Sequence, residues 1–488
     1  MTFACRLLAC LRLIPPLLSL IAASAALAAE HRAPSPPDPD AVRLVAAAQQ
    51  SDWALQRLED LTDLVGPRLS GSRGAAAAVE QLAGVLRDLG LDVHLEPVRV
   101  PHWERGAEQA ELVDYAQRPA GLSQPVVLTA LGGSGATPAE GITAPVLVVH
   151  DFEQLAALGE RVRGAIVLFD VPFPPGLVAH GQAGTAYGAT IGYRVFGPAR
   201  AAALGAQAAL VRSLGSADYR LPHTGLTLFP DGQAPIPAAA LSSEDAQRIV
   251  RLSRRGQPVV LHLTLTPRRL ADADSFNVVA DLPGSDPQAG IVLISGHLDS
   301  WDLAQGAIDD GAGVVAALGA VELIHRLGLH PRRTVRFVAW MNEENGSRGA
   351  EAYLARHRDE LGHHVAAIES DAGAGHPTGI ITNLPAVAGD ALAPLIAALQ
   401  PGGQGALLQL QKPLGSDLDG LERAGTPVFE PQVDVVHYFD LHHTAADTFD
   451  KVDPADFRAQ VGVMAALACF LAELPDPLPR LPASAPGP

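Results

Sequence analysis

One stretch, residues 291–313, constrains the fold of this chain more than any other. It reads IVLISGHLDSWDLAQGAIDDGAG. The apolar run 291–294 is typical of a buried parallel strand, and it ends abruptly at His297 and Asp299. Two aspartates, beginning with Asp309, follow in a Gly-rich turn, and apolar residues then recur at helical spacing. The stretch therefore predicts a strand with a histidine and carboxylates at its carboxyl end, which is where ligand-binding and active sites lie in open α/β sheets.

Strands and helices alternate through the second half of the chain. The predicted strands lie near 276–281, 290–295, 333–340, 365–370 and 426–430, and the predicted helices near 311–328, 347–361, 390–400 and 454–473. This alternation indicates an α/β fold in which a mostly parallel mixed sheet is sandwiched by helices.

The residue pattern changes between positions 121 and 266, where short runs of β-branched residues are separated by predicted turns. We expect this segment to be an inserted β-rich domain, and no catalytic set is visible in it. The main domain is expected at 40–120 and 267–475, with a Pro-rich tail at 476–488. At 488 residues the chain is too long for one typical core, which agrees with this division.

The N-terminus has the pattern of a secretory signal peptide. Arg6 and Arg12 precede the apolar run 13–27, and Ala26-Leu27-Ala28 fits a small-x-small cleavage site. We therefore predict a signal peptide at 1–28 and a secreted or periplasmic protein with no stable membrane insertion after processing. An uncleaved membrane anchor is the alternative.

The charge of the chain argues against one class of partner, and its cysteine content limits disulfide formation. With 35 basic and 53 acidic residues, the formal net charge is -18, which disfavours nucleic acid as a partner. Cys5 and Cys10 would leave with the signal peptide, so that no intrachain disulfide can form in the mature chain. The remaining Cys469 lies in an apolar helical pattern and is predicted to be a packed core thiol.

Polar side chains that bind cations follow successive predicted strands. The candidate metal ligands are His297, Asp309, Glu344, Asp371 and His443. Three carboxylates and two imidazoles suit two cations only if one carboxylate is shared, and Asp309 in its Gly-rich turn is the candidate. Taken singly, such residues are more often turns, helix caps or surface groups. Their joint occurrence at the strand ends favours a metal site.

Two further carboxylates have predicted catalytic roles. Glu343 is adjacent to Glu344, so one side chain can bind metal while the other acts as general base. Asp299 lies two residues after His297, hence on the same side of an extended segment. We expect its carboxylate to accept a hydrogen bond from the second imidazole nitrogen of His297 and to fix its tautomer.

At these residues the sequence resembles the co-catalytic zinc exopeptidases, a family that includes bacterial leucyl aminopeptidases. The resemblance is carried by SGHLDSWDLAQGAIDDGAG, MNEENG, ESDAGAG and HHTAADTFD, and it extends through VRSLGSADYRLPHTGLTLFPDG to nearly all of the mature chain. It implies two zinc ions per chain, with Asp309 bridging, and a cis peptide bond between Asp309 and Asp310. It also implies that His297 and Asp371 hold one zinc, Glu344 and His443 hold the other, and Glu343 is the base.

The same resemblance implies that the inserted segment is a protease-associated-like domain covering the cleft, and that the protein is a homodimer. The expected activity is hydrolysis of dipeptides or of terminal residues of short peptides by metal-activated water, with either end preferred. Loops holding Gly415-Ser416-Asp417 and His437-Tyr438-Phe439 are expected to line the specificity pocket. The alternatives are a single-zinc acyl transferase of the glutaminyl cyclase kind and a noncatalytic binding or receptor-like relative.

Overall fold

The computed structural model describes residues 35–217, 219–286, 288–410, 414 and 417–483. The predicted signal peptide at 1–28 lies outside these residues, as do Gly415 and Ser416 of the expected pocket loop.

The described residues form 18 strands and 14 α-helices, with short 3₁₀ and π-helical segments between them. The strands are β1 Asp92–Val100, β2 Trp103–Glu104, β3 Glu108–Asp114, β4 Gln124–Pro125, β5 Leu128–Ala130, β6 Ile142–Val149, β7 Ile166–Phe169, β8 Ala208–Arg212, β9 Ala238–Leu241, β10 Val260–Leu265, β11 Arg268–Arg269, β12 Ala273–Leu282, β13 Ile291–His297, β14 Thr334–Trp340, β15 His364–Glu369, β16 Pro377–Thr382, β17 Ala406–Gln409 and β18 Val428–Val433. The helices are α1 Pro39–Gln49, α2 Trp53–Asp60, α3 Arg73–Asp88, α4 Phe152–Leu158, α5 Pro175–Ala179, α6 Ala183–Val195, α7 Gly197–Ala203, α8 Ser243–Ser253, α9 Ala312–Arg326, α10 Arg348–Arg356, α11 Ala393–Leu399, α12 Asp419–Arg423, α13 Tyr438–Leu441 and α14 Pro454–Glu473.

The main sheet has eight strands in the order β1-β12-β14-β13-β15-β18-β16-β17. Its centre, from β14 through β13 and β15 to β18, is parallel, whereas β1 and β12 are antiparallel additions at one edge. The predicted α/β fold with a mixed sheet is confirmed. Strands β16 and β17 are additions to the predicted set.

Alternate residues of the central strand pack against two different helix layers. Val292 and Ile294 lie in the large apolar cluster that includes α9 and α14. Leu293 lies in a second cluster with Tyr353 and Leu421, on the opposite face. Because successive strand residues point to opposite faces, this continuous apolar run is what a sheet covered on both sides requires.

Glycines allow helix α9 to begin directly against the ends of the central strands. A Cβ at Gly313 would lie 1.9 Å from the carbonyl oxygen of Ser370, and one at Gly296 would lie 2.4 Å from the Val314 nitrogen. Side chains at these positions would push the helix away from the sheet edge. The Gly-rich pattern after Asp309 therefore reflects this close approach.

A second eight-stranded sheet, in the order β4-β3-β10-β6-β7-β8-β9-β5, is built from residues between 108 and 265. Its central strands β6, β7, β8 and β9 are parallel. Five helices, α4 to α8, accompany them, so the segment contains more helix than its description as β-rich suggested. The domain boundaries themselves stay a prediction.

Helix α14 is apolar on all sides because it is a core helix. Its hydropathy and its 20-residue length would allow it to span a membrane, but 83% of its most apolar window is buried inside the protein. Cys469 lies within it as a buried free thiol. Burial raises the pKa of this thiol to about 12, as expected for a packed core cysteine.

Candidate metal centre and active site

The structure places the five predicted metal ligands at the carboxyl edge of the main sheet. His297 is the last residue of β13, and Asp309 lies in the turn that precedes α9. Glu344 and Asp371 follow the ends of β14 and β15, and His443 follows α13. The carboxyl ends of neighbouring parallel strands meet at one edge, which explains why residues up to 146 positions apart converge.

The five side chains form two groups of potential ligands that share Asp309. In the first group, His297 Nε2 lies 3.3 Å from Asp309 Oδ1 and 3.5 Å from Asp371 Oδ1. In the second group, His443 Nε2 lies 3.2 Å from Asp309 Oδ2 and 2.9 Å from Glu344 Oε2. Each carboxylate oxygen of Asp309 thus belongs to a different group, which is the arrangement a bridging ligand needs.

Hydrogen bonds fix the main chain on either side of Asp309, the residue shared by the two groups. The amides of Ile308 and Asp309 donate to the Asp447 carboxylate at 2.6 and 3.2 Å. Asp310 accepts from the His297 amide at 3.0 Å, which ties the turn to the end of β13. The peptide bond between Asp309 and Asp310 is cis, as the resemblance implied.

Arg68 fastens the loop between β13 and this turn. Its guanidinium is fully buried and donates to the carbonyls of Leu298, Gln305 and Gly306 at 2.8, 2.5 and 2.9 Å. No local pattern predicts that a side chain from before the first strand supports a loop 230 residues later.

The electrostatics of the cluster favour a cation. Burial opposes the ionisation of Asp309, but His442, His297 and His443 together lower its pKa well below the usual value. Burial raises the pKa of Glu344 to about 8, so this carboxyl would hold a proton at neutral pH without a positive charge beside it.

Three further buried carboxyls near the centre would also ionise more readily beside a cation. Burial, together with neighbouring acidic groups, raises the pKa values of Asp310, Glu369 and Asp417 well above normal. Asp309 Oδ2 and Glu344 Oε1 are buried and accept no hydrogen bond from any described residue. Imidazole nitrogens beside unsatisfied carboxylate oxygens are the donor set that zinc prefers, so these residues fit the predicted metal.

The predicted role of Asp299 needs a correction. His297 Nδ1 pairs at 2.9 Å with the main-chain carbonyl of Asp299, and not with its carboxylate. The carboxylate Oδ1 instead accepts from the amides of Asn342 and Glu343, at 2.6 and 3.0 Å. Strand β13 ends at His297, so the alternation assumed for Asp299 no longer applies there. Asp299 thus orients His297 through its backbone and the Glu343 segment through its side chain.

Comparison with known proteins assigns the family. Residues 277–468 match the model of Peptidase family M28. Carboxypeptidase Q from Homo sapiens is 37% identical over 440 residues, which cover 90% of this chain and 89% of that protein. This chain belongs to peptidase family M28. The predicted membership of the zinc exopeptidase family, and with it the prediction of a peptidase, is confirmed.

Solved structures agree with this assignment. The crystal structure of a Peptidase M28 precursor from Shewanella amazonensis SB2B has a TM-score of 0.84 and 36% identity, and the match covers 91% of this chain and 98% of that one. BSAP, a zinc aminopeptidase from Bacillus subtilis, has a TM-score of 0.60 at 19% identity, with 85% and 93% of the two chains covered. The second likeness supports the M28 fold alone.

The second sheet's segment contributes a histidine to the centre, which the sequence reasoning missed. His223 Nε2 lies 2.8 Å from His442 Nδ1, and His442 Nε2 lies 3.4 Å from Asp309 Oδ2. Burial and the neighbouring histidines lower the pKa values of His223 and His442 well below normal, so both rings are neutral. His223 lies within 121–266, a segment in which the sequence alone shows no catalytic set. The segment VRSLGSADYRLPHTGLTLFPDG, which contributes to the family resemblance and contains His223, was the sequence signal that could have pointed to this residue.

A cavity of about 650 Å³ opens beside both ligand groups. Asp309, Glu343, Glu344, Asp371 and His443 face it from the main sheet. Its described lining also includes Tyr187, Arg194 and Leu226 from the second sheet's segment and Tyr438 and Phe439 from the predicted pocket loop. The volume lies within the range of small-molecule sites, so the cavity can hold a short peptide next to the metal ligands.

Proposed function

We propose that this M28 peptidase is a di-zinc exopeptidase that hydrolyses dipeptides or removes terminal residues from short peptides. The observation that carries the proposal is Asp309, whose two carboxylate oxygens lie in separate ligand groups. His297 and Asp371 would hold one zinc, and Glu344 and His443 the other. Bound zinc supplies Lewis-acid polarisation of a carbonyl and a water that deprotonates near neutral pH.

Glu343 is the proposed general base. It lines the cavity beside the two ligand groups, and it is held there through the hydrogen bond from its amide to Asp299. Its carboxylate would accept a proton from the attacking water and pass it to the leaving amine. Asp299 orients the His297 ring through its main-chain carbonyl and the Glu343 segment through its carboxylate, so it would hold the base at a fixed position relative to the first ligand group.

The proposed substrates are small because the cavity is small and is closed on one side by the second sheet's segment. We also propose that the chain is exported through its predicted signal peptide and that it forms a homodimer. N-terminal sequencing of the exported protein and sedimentation analysis test these two points. The relatives do not decide which end of a peptide is recognised, since some are called carboxypeptidases and others aminopeptidases.

The decisive experiment measures zinc content and dipeptide hydrolysis before and after chelation. We expect about two zinc ions per chain and a cleavage activity that chelation abolishes and added zinc restores. Glu343→Gln should keep both ions and lower kcat roughly 100- to 10,000-fold. Asp309→Ala should lose metal as well. Glu351→Gln on the exposed face of α10 is the matched control and should change neither property.

Other outcomes would select the alternatives. One zinc per chain with acyl transfer and no peptide hydrolysis would support the glutaminyl cyclase-like activity. No zinc and no cleavage after zinc is added back would support a noncatalytic binding protein. Full activity in Glu343→Gln would remove the proposed base from the mechanism.

A further inference from the structure

Two stacked imidazole rings face the same carboxylate oxygen of Asp309. His443 Nε2 lies 3.2 Å from Asp309 Oδ2, and His442 Nε2 lies 3.4 Å from the same atom. The ring centroids are 3.7 Å apart, and the ring planes are inclined by 18°. His443 is the proposed zinc ligand, since its Nε2 also lies 2.9 Å from Glu344 Oε2. His442 is therefore a buried imidazole at the centre to which the proposed ligand set gives no role.

Thr224, in the loop between β8 and β9, contacts His443 at two points. Its amide donates to the His443 carbonyl at 2.9 Å, and its carbonyl oxygen lies 3.3 Å from His443 Nδ1. A neutral imidazole that offers the lone pair of Nε2 to a metal carries its proton on Nδ1, so Nδ1–H would donate to the Thr224 carbonyl. The second contact therefore favours the tautomer of His443 that a zinc ligand needs.

His223, the residue before Thr224, contacts the other ring of the pair. His223 Nε2 lies 2.8 Å from His442 Nδ1, a distance at which one nitrogen carries a proton and the other accepts it. A proton on His442 Nε2 is attracted by the Asp309 carboxylate, whereas a lone pair there is repelled. His223 Nε2–H therefore donates to His442. This arrangement leaves His223 Nδ1 as an unpaired acceptor, and not as a buried N–H without a partner among the described residues.

His223 and Thr224 are themselves fixed to the second sheet, and both are fully buried. The His223 amide donates at 2.9 Å to the hydroxyl of Ser213, which directly follows β8. The Thr224 hydroxyl donates at 2.8 Å to the carbonyl of Ala130, the last residue of β5. The contacts to the histidine pair thus come from a well-anchored part of the second sheet's segment, as the orientation of a metal ligand requires.

A metal ion of their own is the alternative role for the three rings, whose nitrogens lie close enough together to bind one. Two observations disfavour it. The contact between His223 and His442 already joins the two nitrogens that face each other. Arg194 Nη1 lies 3.4 Å from His443 Nδ1, so a cation among the rings would lie near a guanidinium without any carboxylate in the ligand group.

We infer that His223 is a positioning residue for the second ligand group: by donating to His442, it holds the histidine pair in the orientation that presents His443 to zinc. This inference rests on the proposed function and deepens it, because it makes the binding of one zinc depend on the second sheet's segment. The first group uses the other oxygen of Asp309, and the described contacts of His223 do not reach its ligands. Its affinity for zinc should therefore be independent of His223.

The test measures zinc affinity by competition with a chelator in two backgrounds that each keep one ligand group. Asp371→Ala disables the first group, and Glu344→Ala disables the second. Adding His223→Leu should weaken zinc binding roughly 10- to 100-fold in Asp371→Ala and less than about twofold in Glu344→Ala. His223→Gln has an amide N–H that can donate to His442 Nδ1, so it should recover most of the lost affinity.

The same comparison in the wild-type background includes a matched control. His223→Leu should weaken one of the two zinc dissociation constants and leave the other unchanged. His364→Leu removes a different buried histidine, which is bonded to the Tyr353 hydroxyl at the start of β15, and it should change neither constant. Two unchanged constants in His223→Leu would overturn the inference.

Zinc affinity, and not turnover, decides this inference, so its failure is distinguishable from that of the proposed function. A wild-type protein that binds two zinc ions but cleaves no peptide would overturn the proposed function alone. Equal weakening in both backgrounds, or no recovery in His223→Gln, would make His223 merely structural and would overturn the inference. A third zinc ion in wild type that His223→Leu removes would assign the three rings a metal site of their own and would overturn it as well.

Discussion

Replacing Arg68 with lysine should loosen the loop that joins His297 to Asp309, the proposed zinc ligand and the proposed bridging aspartate. The guanidinium is 0% exposed and reaches four main-chain carbonyls. They belong to Gly66, Leu298, Gln305 and Gly306. Lysine keeps the charge but has one nitrogen on a flexible stem, so it cannot donate to acceptors spread around a planar fork.

The size of the effect follows from the bonds lost. We expect the lysine ammonium to replace about two of the four hydrogen bonds, and each lost bond from a charged donor to contribute roughly 1.5 kcal/mol. The loop should therefore open about 3 kcal/mol more easily. Since 1.4 kcal/mol corresponds to a factor of ten, its protected amides should exchange about 100-fold faster.

Hydrogen exchange followed by mass spectrometry measures this directly. The informative amides are Leu298 and Gln305, which donate to the carbonyls of Trp340 and Asp447 at 2.7 and 3.1 Å. Zinc content after dialysis against a weak chelator gives the functional consequence, and we expect Arg68→Lys to lose metal faster than wild type.

Arg333→Lys provides the control. Arg333 is also buried, and it donates to the carbonyls of Ala289, Leu471 and Leu474, next to the opposite end of β14. It should show a similar local loosening without any loss of zinc. Unchanged exchange at Leu298 in Arg68→Lys, or equal zinc loss in both variants, would refute the argument.

Two further predictions concern groups away from the centre. His364 is buried and bonded to the Tyr353 hydroxyl at 2.8 Å, and burial lowers its pKa to about 4. The unfolded chain takes up this proton near pH 6.5. The contribution of neutral His364 to the free energy of unfolding is therefore fully present above pH 6.5, and it falls by roughly 3 kcal/mol as the pH drops towards 4. Denaturant titrations at both pH values should show a smaller loss of unfolding free energy in His364→Gln. Cys469, whose pKa burial raises to about 12, should resist a thiol reagent in the native protein and react fully in denaturant.

Three of the five candidate ligands could be proposed from the sequence because His297 ends β13, and Glu344 and Asp371 follow β14 and β15, strands whose patterns are local. The apolar run before His297 marks β13, and similar runs mark β14 and β15, so their carboxyl ends could be placed on one edge without knowing any contact. Strands β16 and β17 escaped prediction for the opposite reason. They are short, contain or flank glycine and proline, and β17 alternates between exposed and half-buried residues at the sheet edge.

Contacts between distant segments were not predictable from any pattern. His223 reaches His442 across 219 positions, and Arg194 reaches His443 across 249. Neither residue follows a strand end of the main sheet, and an isolated histidine or arginine in a helix or loop is normally unremarkable. Such pairs depend on how the second sheet packs against the first, which periodicity does not encode.

The two halves of the protein thus contribute different chemistry to one cavity. The main sheet supplies the predicted metal ligands and the base, all of them imidazoles or carboxylates. The second sheet's segment supplies Arg194, which lies behind His443 and carries the opposite charge to the ligand carboxylates. None of the five proposed metal ligands comes from that segment, so substitutions there can change the cavity lining while His297 and Asp309 stay in place. The lining of the cavity can therefore vary within this fold without a change in the proposed metal ligands.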